Sequence, residues 1–524
     1  MIARYSKWHF WLSAGIIAAA VWIRLSVFVQ SPALWSDEAL TANKLIWVPL
    51  NRLIQPKGSN YGIMHAYPLG FMALTKALIK ILGASEFSLR LIPFLSGLLS
   101  LFLFGRVTRY LFRPEWGLLA LAMFAFSYPL IYHSVELKPY SSDVLIAVIL
   151  LFVTILTLKR SRQITPVQFC AIGMYGLLFS FPAVFIIFPF LGLWILESVL
   201  KKEGKEIFFR LKIFIFLFAF ELMYFLFSLR FYLKDPQLGH FWRSGFLSIS
   251  KLPEIWANGI QTFPLLFWTI LSIAGAAWLI KNRRRMALVC LTPLIAVLVA
   301  SSLHLYPIAS RTVLFLIPFF IILATFGIKT FFMRKFPQAS SIVVAFLIAA
   351  LLWPSLNKLP VFLTDFSFGE DIRPLVYFLH NNRKEGEGLY MNELGEQNYR
   401  FYGHVFGFGI KNYSGIFGSM IEKINDKTGI LFGFEPLDNA HLSFLTETGE
   451  FYIDPETPGN LIRPGRNWFL IAHSKTAASQ ILFNYLDRIG QKLLVMKTDR
   501  DAALYLYDIG QHVPQFRDIF QSSP

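Results

Sequence analysis

His65-Ala66-Tyr67-Pro68-Leu69-Gly70-Phe71-Met72-Ala73-Leu74-Thr75-Lys76-Ala77-Leu78-Ile79-Lys80-Ile81-Leu82 is the stretch on which the threading of this chain turns. It is apolar enough to pass for a membrane span. Yet Lys76 and Lys80 lie four apart on one helical face, with Phe71, Leu74, Leu78 and Ile81 around them. A helix lying in the membrane interface suits that pattern. The choice decides the sidedness of everything downstream. Five basic clusters stand at or just after the ends of apolar runs: Arg106/Arg109/Arg113, Lys159/Arg160/Arg162, Lys201/Lys202/Lys205, Lys281/Arg283/Arg284/Arg285 and Lys329/Arg334/Lys335. With Arg4 and Lys7 inside, a crossing at 65–82 would put all five clusters outside. Without that crossing all five fall inside, which satisfies the positive-inside rule at every test.

Upstream, the apolar stretch from Trp8 to Val29 is too long for a usual signal-peptide core, and Ser31-Pro32-Ala33 is a poor cleavage site, so an uncleaved first span is expected. About eleven spans follow from the hydropathy, near 8–30, 88–107, 115–133, 143–158, 166–182, 183–200, 207–230, 261–280, 286–303, 311–333 and 340–356. Pro182 and Pro189 interrupt the pair at 166–200. On this threading the outer face holds residues 31–87, 134–142, 231–260, 304–310 and everything beyond about 357.

Composition agrees. The 524 residues are 55% hydrophobic and 17% aromatic, which marks a polytopic α-helical membrane protein. The formal net charge of +17 is unevenly spread. Residues 361–524 carry 15 Lys+Arg against 20 Asp+Glu, leaving 34 basic and 12 acidic residues in 1–360. Two domains are expected: a basic membrane domain, 1–360, and a mildly acidic soluble α/β domain, 361–524. The basic excess sits at span ends, so membrane orientation explains it and nucleic acid does not. Cys170 and Cys290 both lie in apolar runs, which leaves no disulfide framework or metal-thiolate site. In the tail, Leu375–Asn381 and Ala477–Ile489 read as helices. Gly388–Met391, Trp468–Ala472, Lys492–Met496 and Ala502–Tyr507 read as strands. The Gly- and aromatic-rich stretch from about 405 to 460 has no assignable period.

Three polar constellations fall on the outer face. The first is Leu34-Trp35-Ser36-Asp37-Glu38-Ala39-Leu40, with adjacent acids just beyond the first span. Carboxylates there are costly to bury and well placed for proton chemistry at the membrane surface. The second is His133-Ser134-Val135-Glu136-Leu137-Lys138-Pro139-Tyr140-Ser141-Ser142-Asp143, where eight of eleven side chains are polar. Lys138 is its natural phosphate partner, Tyr140 adds a hydroxyl, and Glu136 and Asp143 are candidate substrate contacts. A plain interfacial turn, with Lys138 snorkelling and Tyr140 in the aromatic belt, is the competing reading. The third is His304-Leu305-Tyr306-Pro307-Ile308-Ala309-Ser310-Arg311. Arg311 is expected to open a span at its amino-terminal end, where backbone donors also favour an anion, and to clamp a phosphate. Tyr306, His65 and His240 are further candidate contacts. No close set of histidines and acids demands a metal.

These places together resemble the polyprenyl-phosphate-sugar-dependent glycosyltransferases of the GT-C class, in the bacterial branch related to protein O-mannosyltransferases and lipid A aminoarabinose transferases. The resemblance rests on Trp35-Ser36-Asp37-Glu38-Ala39, on His65-Ala66-Tyr67-Pro68-Leu69 with Gly83-Ala84-Ser85-Glu86-Phe87-Ser88-Leu89-Arg90, on Glu136-Leu137-Lys138-Pro139-Tyr140, and on Tyr306 through Pro318. The family often has His-Pro-Pro where Ala66 and Tyr67 here separate His65 from Pro68. The resemblance implies an inverting transfer from a polyprenyl-phosphate sugar to an acceptor hydroxyl on a glycan, lipid or protein. Asp37 would act as base, Glu38 would orient it or bind the acceptor, and Lys138, Arg311 and Tyr140 would hold the donor phosphate. It implies a bacterial inner membrane with the C-terminal domain outside the cytoplasm. No cofactor is required by the residues, and the family leaves room for a divalent metal. The competing function classes are a transporter or lipid flippase, and a non-catalytic assembly protein. Transporters often show repeated halves and midplane charges, whereas this chain has no repeat and gathers its polar residues at one face.

Overall fold

The computed structural model of the protein describes residues 7–49, 67–158, 165–232, 265–303, 305–308, 311–335, 357, 359–364, 366–408, 415–424, 427–435, 441–446, 451–453, 462, 464–475, 477–498 and 501–510. The chain divides into two compact units. One comprises Met1–Gln30, Pro49–Gly83 and Phe87–Phe366; the other comprises Ser31–Val48, Ala84–Glu86 and Ser367–Pro524.

The first unit is helical. Its first element, α1 (Lys7–Gln30), has 24 residues and is about 36 Å long, with Trp8, Trp11 and Trp22 exposed as a lipid-facing surface requires. The next helix in the chain, α2 (Ser36–Trp47), belongs to the other unit. Then α3 (Leu69–Leu82) runs from Pro68 to Gly83, whose φ of 82° stops it. At 14 residues it is about 21 Å long, short of the ~30 Å hydrocarbon layer. It buries Phe71, Met72, Thr75 and Ile79 and leaves Leu74, Ile81 and Leu82 exposed.

The remaining helices of this unit are α4 (Glu86–Leu111), α5 (Pro114–Ala125), α6 (Tyr128–Tyr132), α7 (Tyr140–Leu158), α8 (Pro166–Phe179), α9 (Val184–Leu200), α10 (Gly204–Tyr232), α11 (Leu265–Asn282), α12 (Arg284–Ser302), α13 (Ile317–Lys335) and α14 (Leu359–Thr364). Among the described residues, six helices are long and apolar enough to cross a membrane, or seven if the pair Pro114–Ala125 and Tyr128–Val135, bent by 56°, is one span. Helices α8, α10 and α11 fall on three more of the expected spans, and 340–356 lies outside the described residues. The packing is close. A Cβ on Gly275 of α11 would stand 1.9 Å from the Leu323 carbonyl oxygen of α13, and one on Gly327 would stand 2.0 Å from that of Leu271. Only glycine allows the two backbones to touch there. Stacked rings fill the interior, Phe104 on Phe124 and Trp278 on Phe326. Cys170 and Cys290 are both free.

The second unit holds α2, α15 (Arg373–Asn382), β1 (Gly388–Asn392), α16 (Glu393–Val405), β2 (Gly415–Ile424), β3 (Lys427–Glu435), β4 (His441–Thr446), β5 (Phe451–Ile453), β6 (Gly465–Ala472), α17 (Ala477–Ile489), β7 (Gly490–Lys497) and β8 (Ala502–Ile509). One eight-stranded sheet runs β5-β4-β3-β2-β1-β6-β8-β7. The central strand β1 pairs parallel with β2 and β6, and every other pairing is antiparallel. β6 is buried from Asn467 to Ala472, as its unbroken apolar run requires of a strand covered on both faces. The stretch without an assignable period contains the β2–β5 meander. At the end of β1, the Asn392 side chain caps α16 by accepting from Gly395 N (2.9 Å) and pairs with both backbone groups of Ala472 (2.7 and 3.0 Å). The start of α16 is thereby pinned to the end of β6.

Candidate functional site

The turn between α6 and α7 is the polar centre of the first unit. A 3-10 turn over His133–Val135 ends α6, Glu136 is extended, and Pro139 precedes the first residue of α7. Lys138 N donates to Glu136 O at 2.7 Å, which tightens the bend. Ser134, Val135 and Leu137 have no exposed surface, and Glu136 and Lys138 only 2%. This is a packed turn, and Lys138 does not snorkel. Gly97 of α4 makes the space, since a Cβ there would lie 2.6 Å from the Ser134 Cβ.

A buried ammonium needs partners. Lys138 Nζ donates to Tyr67 Oη at 2.8 Å and stands 5.4 Å from the Tyr67 ring centroid. Glu136 Oε2 lies 2.5 Å from His133 Nδ1. Burial alone would raise the Glu136 pKa. The charge and hydrogen bond of His133, with the charges of Lys138 and Arg311, outweigh it and hold the carboxyl below its ordinary range. The His133 ring meets Tyr140 edge-on at 5.2 Å, and Ser141 Oγ donates to His133 O at 2.9 Å.

Tyr140 lies close enough to Arg311 and Lys138, and Tyr306 close enough to Asp143 and Tyr140, to interact electrostatically. Tyr306 Oη donates to Thr312 O at 2.7 Å, and Thr312 Oγ1 to Pro307 O at 2.8 Å, which ties the 306–312 turn across itself. The structure thus gathers Glu136, Lys138, Tyr140, Asp143, Tyr306 and Arg311 into one neighbourhood. It adds Tyr67 and His133, which sequence reasoning did not single out. His133 was legible as the partner three residues before Glu136; nothing local marks Tyr67. One expectation is corrected. Arg311 does not open a helix: α13 begins at Ile317 after a 3-10 turn over Leu314–Leu316. Pro318, at a favoured first-turn position, is the start signal, so the helix-terminus argument does not apply to Arg311. His65 and His240 lie outside the described residues.

The acid pair belongs to the second unit. Asp37 and Glu38 fill the first turn of α2, Asp37 half-buried and Glu38 fully buried. The acids thus stand on a helix and not in a solvated loop. Leu34 N donates to Tyr402 Oη at 2.8 Å, and Asn43 Nδ2 to Gln397 O at 2.8 Å, both partners on α16. Ser36 N and Oγ reach Glu370 Oε2 at 3.1 and 2.5 Å. Glu86 is 8% exposed and paired with Arg373 at 3.1 Å. Among the described residues no three His, Cys, Asp or Glu side chains stand together as a metal site.

Cations held beside tyrosine hydroxyls and a carboxylate in a buried turn suit recognition of an anion such as a phosphate. Residues 66–225 match the family model described as dolichyl-phosphate-mannose-protein mannosyltransferase. The resemblance read from the motifs is borne out over that stretch, which contains Tyr67, Glu136, Lys138 and Tyr140. No curated protein sequence matches the chain. Among solved structures, the chain is similar to ArnT from Cupriavidus metallidurans bound to undecaprenyl phosphate, at 11% identity, over 96% of this chain and 99% of that one, with a TM-score of 0.48. It is similar to the oligosaccharyltransferase AglB of Archaeoglobus fulgidus with an inhibitory peptide and a dolichol-phosphate, at 12% identity, 76% and 64% coverage and a TM-score of 0.47. It is also similar to the Archaeoglobus fulgidus oligosaccharyltransferase with Zn and sulfate, at 13% identity, 74% and 61% coverage and a TM-score of 0.46. The chain thus spans less than two thirds of the length of those archaeal enzymes.

Proposed function

We propose that this protein is an inverting glycosyltransferase that moves a sugar from a polyprenyl-phosphate donor to an acceptor hydroxyl at the membrane. The observation that carries the reading is the buried turn around Lys138, in contact with Tyr67 and neighboured by Glu136, inside the stretch that matches the family model. A lipid phosphate gains charge as the glycosidic bond breaks, and pre-placed cations in a dry setting stabilise that charge without reorganising. Lys138 and Arg311 supply them, with Tyr140 as a hydroxyl contact. Asp37 takes the acceptor proton as its oxygen attacks the anomeric carbon from the face opposite the phosphate, and Glu38 orients it. These roles come from the resemblance, and the placement of both acids in the first turn of α2, Glu38 fully buried and Asp37 half-buried, supports them.

The positive-inside pattern supports an inner-membrane location in a bacterium, with residues 31–87 and the tail beyond about 357 outside the cytoplasm. A membrane domain over 1–360 and a soluble domain over 361–524 is the proposed division of labour, except that residues 31–48 and 84–86 group with the second unit. The reading routes no step through a metal; adding and chelating divalent ions in the transfer assay tests whether one takes part. Among the described residues, nothing favours a transporter or an assembly protein. The deciding experiment is sugar transfer in membrane vesicles from labelled polyprenyl-phosphate sugars, with wild type and Asp37→Asn at matched expression. Transfer by wild type and its loss in the variant is the expected result. Equal transfer by both would remove Asp37 as the base.

A further inference from the structure

The amino end of α2 lacks a cap of its own: Trp35, at the N-cap position, makes no side-chain cap hydrogen bond. A helix start leaves backbone N–H groups without intrahelical partners and favours a negative charge beside them. The carboxylate that meets this end comes from 334 residues away. Glu370, 2% exposed, takes Ser36 N at 3.1 Å and Ser36 Oγ at 2.5 Å on one oxygen. Its other oxygen stands 2.6 Å from His473 Nε2. His473 follows directly on β6 with φ +52°, and its Nδ1 lies 3.5 Å from Asp501 Oδ2. Asp501 in turn accepts from Lys475 N at 2.8 Å. On the other side Asn398, fully buried on α16, donates to Ser36 Oγ at 3.4 Å. Ser36 immediately precedes Asp37 and Glu38, so whatever fixes Ser36 fixes the turn that carries both acids.

We propose that Glu370, backed by His473, is a positioning residue for Asp37 and Glu38, a remote cap that sets the first turn of α2. The inference rests on the reading of Asp37 as the base. It is tested on the full-length protein with Glu370→Ala, Glu370→Gln and His473→Ala, by transfer kinetics, amide hydrogen exchange over residues 36–40 and thermal melting. Loss of a cap should speed exchange in that turn on the order of ten-fold in Glu370→Ala. The rest of the sheet unit should keep its wild-type exchange. The turnover number kcat should fall more than ten-fold while KM for the donor stays within two-fold. Glu370→Gln, which keeps an acceptor for Ser36, should recover most of the exchange protection and part of kcat. His473→Ala should lie between wild type and Glu370→Ala. Wild-type exchange and kcat in Glu370→Ala would overturn the proposal, as would faster exchange spread evenly over the whole unit. If the wild type transfers no sugar from any donor, the glycosyltransferase reading fails, and the exchange pattern alone then decides whether Glu370 sets the turn.

Discussion

The turn at 133–143 and the acid-bearing turn at 36–38 solve one problem in opposite ways. Both bury charged groups, and a buried charge is tolerable only with partners. The first finds much of its support close by in sequence: His133 for Glu136, Tyr140 against His133, Ser141 on the His133 carbonyl. The second finds its support in Glu370, Gln397 and Tyr402, more than 330 residues away. A locally built site can be read from one stretch of sequence and broken by one neighbour. A remotely built site is invisible in its own stretch and depends on another part of the chain.

Substitutions at the charged groups test both turns most severely. Asp37→Asn removes the proposed base and should lower transfer by about 10²–10⁴-fold. Lys138→Ala removes a proposed phosphate cation and should lower kcat by about 10²–10³-fold, read in the same vesicle assay. If Lys138→Ala raises only KM for the donor, the cation binds substrate and transition state alike. Next in size is Gly97→Ala, which drives a methyl into Ser134. It should destabilise the protein by about 1–3 kcal/mol in a thermal melt, with exchange in the 133–143 turn rising first and residues 36–47 unaffected. Tyr402→Phe is its counterpart. It deletes only the hydroxyl that holds Leu34 N, should cost about 1 kcal/mol, and should loosen α2 without touching the first turn. Disturbance of both turns by either variant would erase the contrast.

The smallest effect is in pH, and it has opposite signs in the two places. Burial acts to raise the Glu136 pKa, but His133, Lys138 and Arg311 hold it below the ordinary carboxyl value of 4.5. Its share of stability is therefore complete above that value and is lost as pH falls through the lowered one. The His473 pKa is raised above 6.5, first by its hydrogen bond to Glu370 and also by Asp501, against the effect of burial. That share is complete below 6.5 and is lost as pH rises through the raised value. Melting measured across pH should show both limbs. His473→Gln should flatten the alkaline limb alone; an unchanged limb would mean that another group titrates there.

The legibility of the molecule follows the same division. Long apolar helices, the short helix α3 and strands β1, β6, β7 and β8 could be read because hydropathy, charge at helix ends and unbroken apolar runs are local signals. The β2–β5 meander could not, since antiparallel pairing is written between segments rather than within one. In the candidate site, Lys138 and Glu136 were legible from eleven contiguous residues. Arg311 was found but placed on a helix start that lies six residues further on. Glu370, Tyr402 and His473 carry no spacing relative to Asp37 that a reader of the sequence could recognise.

The distance between Ser36 and its cap also sets an order of events. At about 5–20 residues added per second, the ribosome needs on the order of tens of seconds after making Ser36 to reach Glu370, 334 positions later. Through that interval the nascent acid helix is without the carboxylate that closes its first turn, and every membrane segment between them is made in the meantime. The turn that carries Asp37 is therefore made 334 residues before the carboxylate that completes it. A chain cut short before residue 370 would present the acids without their cap.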